Sequence, residues 1–515
     1  MKHRILLLLI PYLFITACSK DNDNDSGTDK SSAKEMISFT FLESDNDELS
    51  EDAKAVLDKA EKKATVTLPF GTAVTSLRPV IEISQGATID PTDKTDTDFS
   101  NDVQYTITAE DGSTAVYTVS VAVNGNTSPE NFTLTAPERD ATGISIFPSF
   151  VWEAATDPDG DTLSYNLYLG TEEDALELYA EDIGDTTYEP GERLLTYQTY
   201  YWQVEALDGK GGSTRSSIAA FTVQGLDFGT EAVTTDASFS RRRDHSTVTF
   251  DGKLWIIGGR FGVRDRLSDV WYSEDGASWT QATDAAPFGE RHGHTSVTFD
   301  GKLWVIGGSD SSGRLNDVWY SEDGVNWTEA TGAAAFSERA LHTSITFDGK
   351  LWVIGGLGGN SLNDVWHSED GVTWTQATDA AAFRGRYSHT SVVFDAKLWV
   401  IGGFDGNRLN DVWHSEDGTT WTEAKGTSPF DARSGHTSVT FDDKLWVIGG
   451  LGIGGGRLND VLYSEDGATW TEVTDAAAFV ARFAHTSITF DDRLWVIGGD
   501  GGIGGLNDVW AFGAD

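Results

Sequence analysis

The chain has 515 residues, with 37 Lys and Arg against 81 Asp and Glu, a formal charge of −44. Such acidity excludes nucleic acid as a ligand and an anionic bilayer as an electrostatic partner, because both are gripped by clustered cations. A hydrophobic share of 39% with 23% charged residues belongs to a folded chain of several domains, and a single Cys excludes intramolecular disulfides, Cys-based zinc sites and paired redox centres.

At the start, Lys2 and Arg4 precede an apolar run from Ile5 to Ile15. The run is too short to span a bilayer and has the length of a secretory signal. It ends at Ile15-Thr16-Ala17-Cys18, which resembles the lipobox of bacterial lipoproteins. The resemblance implies a lipoprotein signal peptide over 1–17 and lipidation of Cys18, with two or three acyl chains as a stable anchor. Residues 18–34 read as an acidic flexible tether. Its acidic run resembles the export signal of some surface-displayed Gram-negative lipoproteins, so the expected location is the outer membrane, lipid-anchored and facing outward.

Residues 35–125 alternate with period two at Ala64–Leu68, Tyr105–Thr108 and Tyr117–Val121, with a hairpin turn at Glu110-Asp111-Gly112-Ser113. One helical stretch is expected near Glu51–Lys62, where Ala, Leu and Lys dominate. The strand pattern resembles the Ig-like β-sandwiches that act as spacers in surface bacterial proteins. Residues 128–225 resemble a fibronectin type III domain, with Phe150-Val151-Trp152, Leu163–Tyr168, Tyr200–Val204 and Phe221–Val223 as strands. Trp152 is expected between its two sheets. Asp157, Asp159 and Asp161 place three carboxylates in five residues, but the Glu an EF-hand needs is missing, so they read as a turn without metal.

From 229 to 515 the chain repeats itself. A His-Thr-Ser-Val-Thr-Phe-Asp-Gly-Lys-Leu-Trp-Val-Ile-Gly-Gly unit, with small variations, starts at His245, His294, His342, His389, His436 and His485, spaced 47–49 residues apart. Each unit reads as four strands, a to d, the pattern of a propeller blade. Sixteen of the eighteen Trp recur here in register, which marks them as packing between blades. Double Gly, downstream Trp and period resemble the kelch family in all six repeats. The Ser273-Glu274-Asp275-Gly276 turn and its copies look like the Asp-box of sialidases, one residue short, and carry over only a structural c–d turn. The sixth repeat lacks strand d, and Thr230–Thr234 matches that strand elsewhere. The expected fold class is therefore all-β: two β-sandwich domains followed by a six-bladed β-propeller closed by an N-terminal strand, 229–235. Unclosed, the ring would expose sheet edges.

The blades differ from one another in two regions: the residue pair between Arg and His in each d–a connection, and each b–c loop after Gly-Gly. In a propeller these open on one face, and loops on a rigid scaffold commonly carry binding. The candidate ligand-binding residues are Arg243, His292, Tyr387 and Phe483 in the d–a connections, with Arg260, Arg264, Arg314 and Arg408 in the b–c loops. Arg242, Arg291, Arg339, Arg386, Arg433 and Arg482, three before each His, form a second candidate set. They would either clamp carboxylates or brace each loop to its neighbour. The six repeated His read as structural, since His292 and His294 lack a third metal ligand. His367 and His414 replace Tyr in strand c and read as packing.

Aromatic side chains beside cations suit a sugar ring or an extended polypeptide, and local Arg on an acidic molecule suits an anionic ligand such as an acidic glycan. The expected function is a monomeric cell-surface lipoprotein whose propeller binds a glycan or an extracellular protein, with no nucleic acid, cofactor, metal or catalytic residue. The alternatives are a glycan-active enzyme of the sialidase or sialic acid mutarotase type, which the kelch resemblance keeps open, and a structural envelope protein. Copper–radical chemistry of the galactose oxidase type needs a Cys beside the metal, and the sole Cys lies at the lipidation site. Tyr387, Glu290 and Glu338 fall on the variable face, but no local signature gives them catalytic roles, and near-identical blades favour binding over catalysis.

Overall fold

The computed structural model describes residues 30–229, 231–262, 265–425, 430–502 and 504–513. Within them the chain is all-β, relieved only by two three-residue helical turns. Cys18, the signal segment and most of the tether lie outside the described residues, as does Arg264.

The first sandwich packs a three-stranded sheet, with Met36–Phe41 at its centre, on a five-stranded one. Its second sheet pairs Lys63–Leu68 parallel with Thr114–Val123, which turns back on Val103–Thr108 through a tight loop where Gly112 has φ 84°. The Glu51–Lys62 stretch is not helical. It forms the short strands Ala53–Lys54 and Val56–Asp58, the second paired with Lys63–Leu68. Ala53, Ala55 and Leu57 turn onto the core in strand alternation, while Asp58 accepts from the amides of Ala60 and Glu61 and closes the turn. Core contact overrides helix propensity here.

The second sandwich buries Phe150, Trp152, Leu167, Trp202 and Phe221 between its sheets, with Trp152 set edge-on to Tyr165. One Asp157 oxygen accepts from the amides of Asp159 and Asp161, closing the acidic turn. Among the described residues no three His, Cys, Asp or Glu side chains are arranged to hold a metal.

The propeller has six blades, exemplified by blade two: a, Thr295–Phe299; b, Lys302–Ser309; c, Arg314–Ser321; d, Trp327–Thr331. The hydrophobic clusters lie between blades. Trp255 and Val270 of blade one, for example, share theirs with Leu303 and Trp327 of blade two. Five of the six strand-b Trp lie beneath the c–d turn of the following blade, so closely that a Cβ on Gly324 would fall 2.2 Å from Trp255, while Trp446, which has no such turn to follow it, packs against Tyr197 and Phe228. Burying such a side chain contributes roughly 1.5–3 kcal/mol. In that turn Ser321 Oγ accepts from Gly324 N, while Asp323 accepts from the amides of Val325 and Asn326. Desolvation pushes the Asp323 carboxyl up, but the donors from Asn326, Val325 and Ser321 outweigh it and bring it down to about 2.

The sixth sheet has three strands of its own, and Thr234 exchanges backbone hydrogen bonds with Val509 along its outer side. Ala237 N and Arg242 N donate to Asn507 and Leu506 farther along. This contact is an isolated bridge rather than a regular strand.

The second sandwich sits on the a–b turn side of blade five. Asp442 accepts from Arg193 Nη2 at 2.7 Å, from Thr196 Oγ1 at 2.7 Å and from Thr196 N at 3.1 Å. Tyr197 packs against Trp446 and Tyr463, and Phe228 against Phe512. The d–a and b–c loops therefore face away from the stalk.

Candidate functional site

Each strand b ends in Gly-Gly with both residues at positive φ. The second Gly has no room for a side chain, since a Cβ on Gly356 would lie 2.6 Å from that of His342. This close approach lets every d–a connection cross over the end of its own strand b. The first residue of each variable pair bridges to the residue after Gly-Gly: Arg243 to Arg260, His292 to Ser309, Ala340 to Leu357, Tyr387 to Phe404, Ser434 to Leu451 and Phe483 to Asp500.

The second residue of each pair does something that no local pattern announces. Asp244, Gly293, Leu341, Ser388, Gly435 and Ala484 are all left-handed, with φ from 50° to 61°. Each donates its backbone N–H to the carbonyl of its counterpart one blade earlier, at 2.7–3.0 Å, and Asp244 closes the circle onto Ala484. Six hydrogen bonds thus form a complete girdle around the axis. Below it stand the six repeated His, each with Nε2 2.9–3.2 Å from the Ser or Thr hydroxyl that heads the previous blade's strand a. Burial, reinforced by the neighbouring Arg, holds these imidazoles neutral, with His245 and His389 down at about 3.

Above the girdle is a cavity of about 350 Å³, open to solvent and surrounded by all six blades. Its wall is asymmetric. Leu341, Tyr387, Phe404, Leu451 and Phe483 supply an apolar side, and Asp244 with Arg260 a charged one. Tyr387 and Phe404 lie with ring centroids 5.4 Å apart. Arg260 Nε donates to Asp244 at 2.7 Å, and Asp500 is shared by Arg243 and Arg457, both over the Phe483 ring.

Of the candidate residues, Tyr387, Phe483, Arg260 and Arg408 line this cavity. Arg243 supports Phe483 from behind. His292 lies beside Arg266, 3.3 Å from its Nε, and desolvation with the Arg260 and Arg266 charges lowers it to about 4. Arg314, Glu290 and Glu338 do not line the cavity. Arg242, Arg291, Arg339, Arg386, Arg433 and Arg482 are not at the ligand face at all. They are 0–1% exposed, and each makes a bidentate pair with the strand-c Asp of its own blade, the closest contacts 2.6–2.8 Å. Each also donates to the first Gly carbonyl of Gly-Gly and lies over the Phe three residues before it. They are braces, because both Nη atoms of every one are already taken.

Phe404, Leu341, Leu451 and Asp500 escaped the sequence reading. Phe404, Leu451 and Asp500 follow Gly-Gly directly, the same register as Arg260, and that equivalence was the available signal.

No curated protein matches the chain. A solved structure entitled "Structure of YjhT" is 19% identical with a TM-score of 0.46, covering 54% of this chain and 96% of its own. Residues 37–121 match the family model described as "SGBP, N-terminal", the N-terminal domain of surface glycan-binding proteins. Residues 206–379 and 368–515 match the model described as "KLHDC2/KLHL20/DRC7 Kelch-repeats domain". With more than half its length so matched, and a blade-by-blade structure to go with it, the chain belongs to the kelch-repeat family.

Proposed function

We propose that this protein is a cell-surface glycan-binding protein, held at the outer membrane by lipid on Cys18, and that its propeller takes the glycan into the cavity above the girdle. The observation that carries this reading is the cavity itself. It is a concave site on the blade-variable face with an aromatic pair, Tyr387 and Phe404, on one wall and polar groups on the other, and it stands on the side away from the stalk. Flat apolar rings stack on sugar C–H faces while polar neighbours set orientation. The match of residues 37–121 to the SGBP N-terminal model supports the same reading. Asp244 and Asp500 are each held by Arg, which suits them to shaping the wall rather than to exchanging protons.

The test compares cells displaying the full chain with cells carrying Cys18→Ala or Tyr387→Ala/Phe483→Ala, stained with a labelled glycan library. The double variant should lose staining at least tenfold while its melting temperature stays within a few degrees, and Cys18→Ala should leave the membrane fraction. Undiminished staining by a folded double variant would place the ligand elsewhere.

A further inference from the structure

The cavity-lining arginines have unequal fates. Arg260 is paired with Asp244, and behind the wall Arg243 and Arg457 are paired with Asp500. Among the described residues the Arg408 side chain has no ion-pair or hydrogen-bond partner, and its Nε is buried without one. It rises from the start of blade four's strand c, in register with Phe404, which in turn bridges to Tyr387. One blade thus places an uncommitted guanidinium next to the aromatic pair. Its Nη2 leans toward blade five, 3.9 Å from where a Cβ on Gly455 would stand.

An unpaired cation beside apolar surface is costly unless something neutralises it, and it attracts an anion more strongly there than in open water. On a chain of charge −44 a surplus guanidinium at this point is a selective feature rather than a general one. The shape of the site adds a second constraint. Residues of all six blades line the cavity, so it is a bowl on the ring's axis rather than a groove with two open ends. At about 350 Å³ the cavity is near the small end of the range that envelops a ligand. A bowl of this size suits the tip of a polymer better than its interior.

Resting on the glycan-binding reading above, we infer that the site is a chain-end receptor for an anionic sugar. The terminal ring lies on Tyr387 and Phe404, and its carboxylate or sulfate pairs with Arg408. A planar guanidinium accepts either oxyanion in a two-point contact.

The experiment is calorimetry on the full chain with four probes: uronate-terminated oligosaccharides of increasing length, their carboxyl-reduced counterparts, sulfate-terminated oligosaccharides, and neutral oligosaccharides. The expected result is one protein bound per oligosaccharide whatever its length, and at least tenfold weaker binding after carboxyl reduction. Preference for uronate over sulfate, or the reverse, identifies the anion. Arg408→Gln should erase the preference for acidic over neutral ends while leaving the melting temperature unchanged. Stoichiometry that grows with chain length overturns end-on recognition. Equal affinity for acidic and reduced probes, insensitive to Arg408→Gln, overturns the anionic assignment; if Tyr387→Ala still weakens that binding, glycan recognition by this cavity stands. Failure of every probe to bind would overturn this inference and the glycan reading together.

Discussion

Arg339 and Arg408 carry the same side chain and opposite duties. Arg339 is wholly buried, with both Nη atoms on Asp364 at 2.7–2.9 Å and its plane over Phe336. Its charge is compensated, so it holds the d–a connection to strand c. Asp364→Asn keeps the shape and removes the counter-charge, leaving a buried guanidinium unbalanced. The expected cost is about 3–5 kcal/mol, read as a lower denaturant midpoint. A loss below about 1 kcal/mol would mean that water reaches Arg339 in the folded state. The repeat at Arg242, Arg291 and their equivalents already favoured a brace, since a residue needed in every blade is needed by the blade. Its Asp partner, 25–27 residues later, was not singled out, because nothing local links the two.

At the scale of the element, the a–b hairpins show where the repeat tolerates strain. All six turns have both central residues left-handed, the geometry of the tight hairpin that matches strand twist. Blades one to three place Gly at the second position. Blades four to six place Ala396, Asp443 and Asp492 there, with φ of 52–53°. An L-residue pays a steric cost in that region that Gly does not. Ala396→Gly should therefore stabilise the propeller by about 0.5–1 kcal/mol, less the backbone freedom Gly gains in the unfolded chain, measured as a higher melting temperature with binding unchanged. A lower melting temperature would show that packing of the Ala methyl outweighs the strain. Such hairpins were legible because their signal lies within two residues. Glu51–Lys62 was misread for the complementary reason: its composition favours a helix, and only the sandwich core that Leu57 reaches imposes strand alternation.

Across the whole molecule, six neutral imidazoles ring one axis, and their titration couples to folding. Desolvation lowers each folded-state value, His245 and His389 to about 3 and the other four well below the ordinary value. A depressed imidazole binds its proton more readily in the unfolded chain. Its stabilising contribution is therefore complete above the unfolded value, about 6.5, and is lost as pH falls toward 3. His245 and His389 each cost up to about 1.4 kcal/mol per pH unit in that window, and the other four ring members act in the same direction. The propeller should lose stability progressively as pH falls below about 6.5 and unfold cooperatively in acid, with net proton uptake, followed by circular dichroism and potentiometry. A propeller still folded at pH 4 without that uptake would refute the buried neutral ring.

Six copies of one unit, the double Gly, the Asp-Gly turns and the recurring Trp are enough to establish blades, their number and the face on which they differ, because each depends on contacts within a unit or with an identical neighbour. Which cations on that face are free depends on contacts that repetition does not encode. Asp500 reaches Arg243 across 257 residues only because the ring closes, and Asp244 meets Arg260 only because the d–a connection crosses strand b. Of the two arginines that line the cavity, Arg408 is the one whose side chain has no such partner among the described residues, and the girdle of left-handed residues exists only when all six blades meet around one axis. These tertiary contacts, within a blade, between neighbours and across the closure, pair most of the charges at the mouth and leave one cavity-lining guanidinium without a partner.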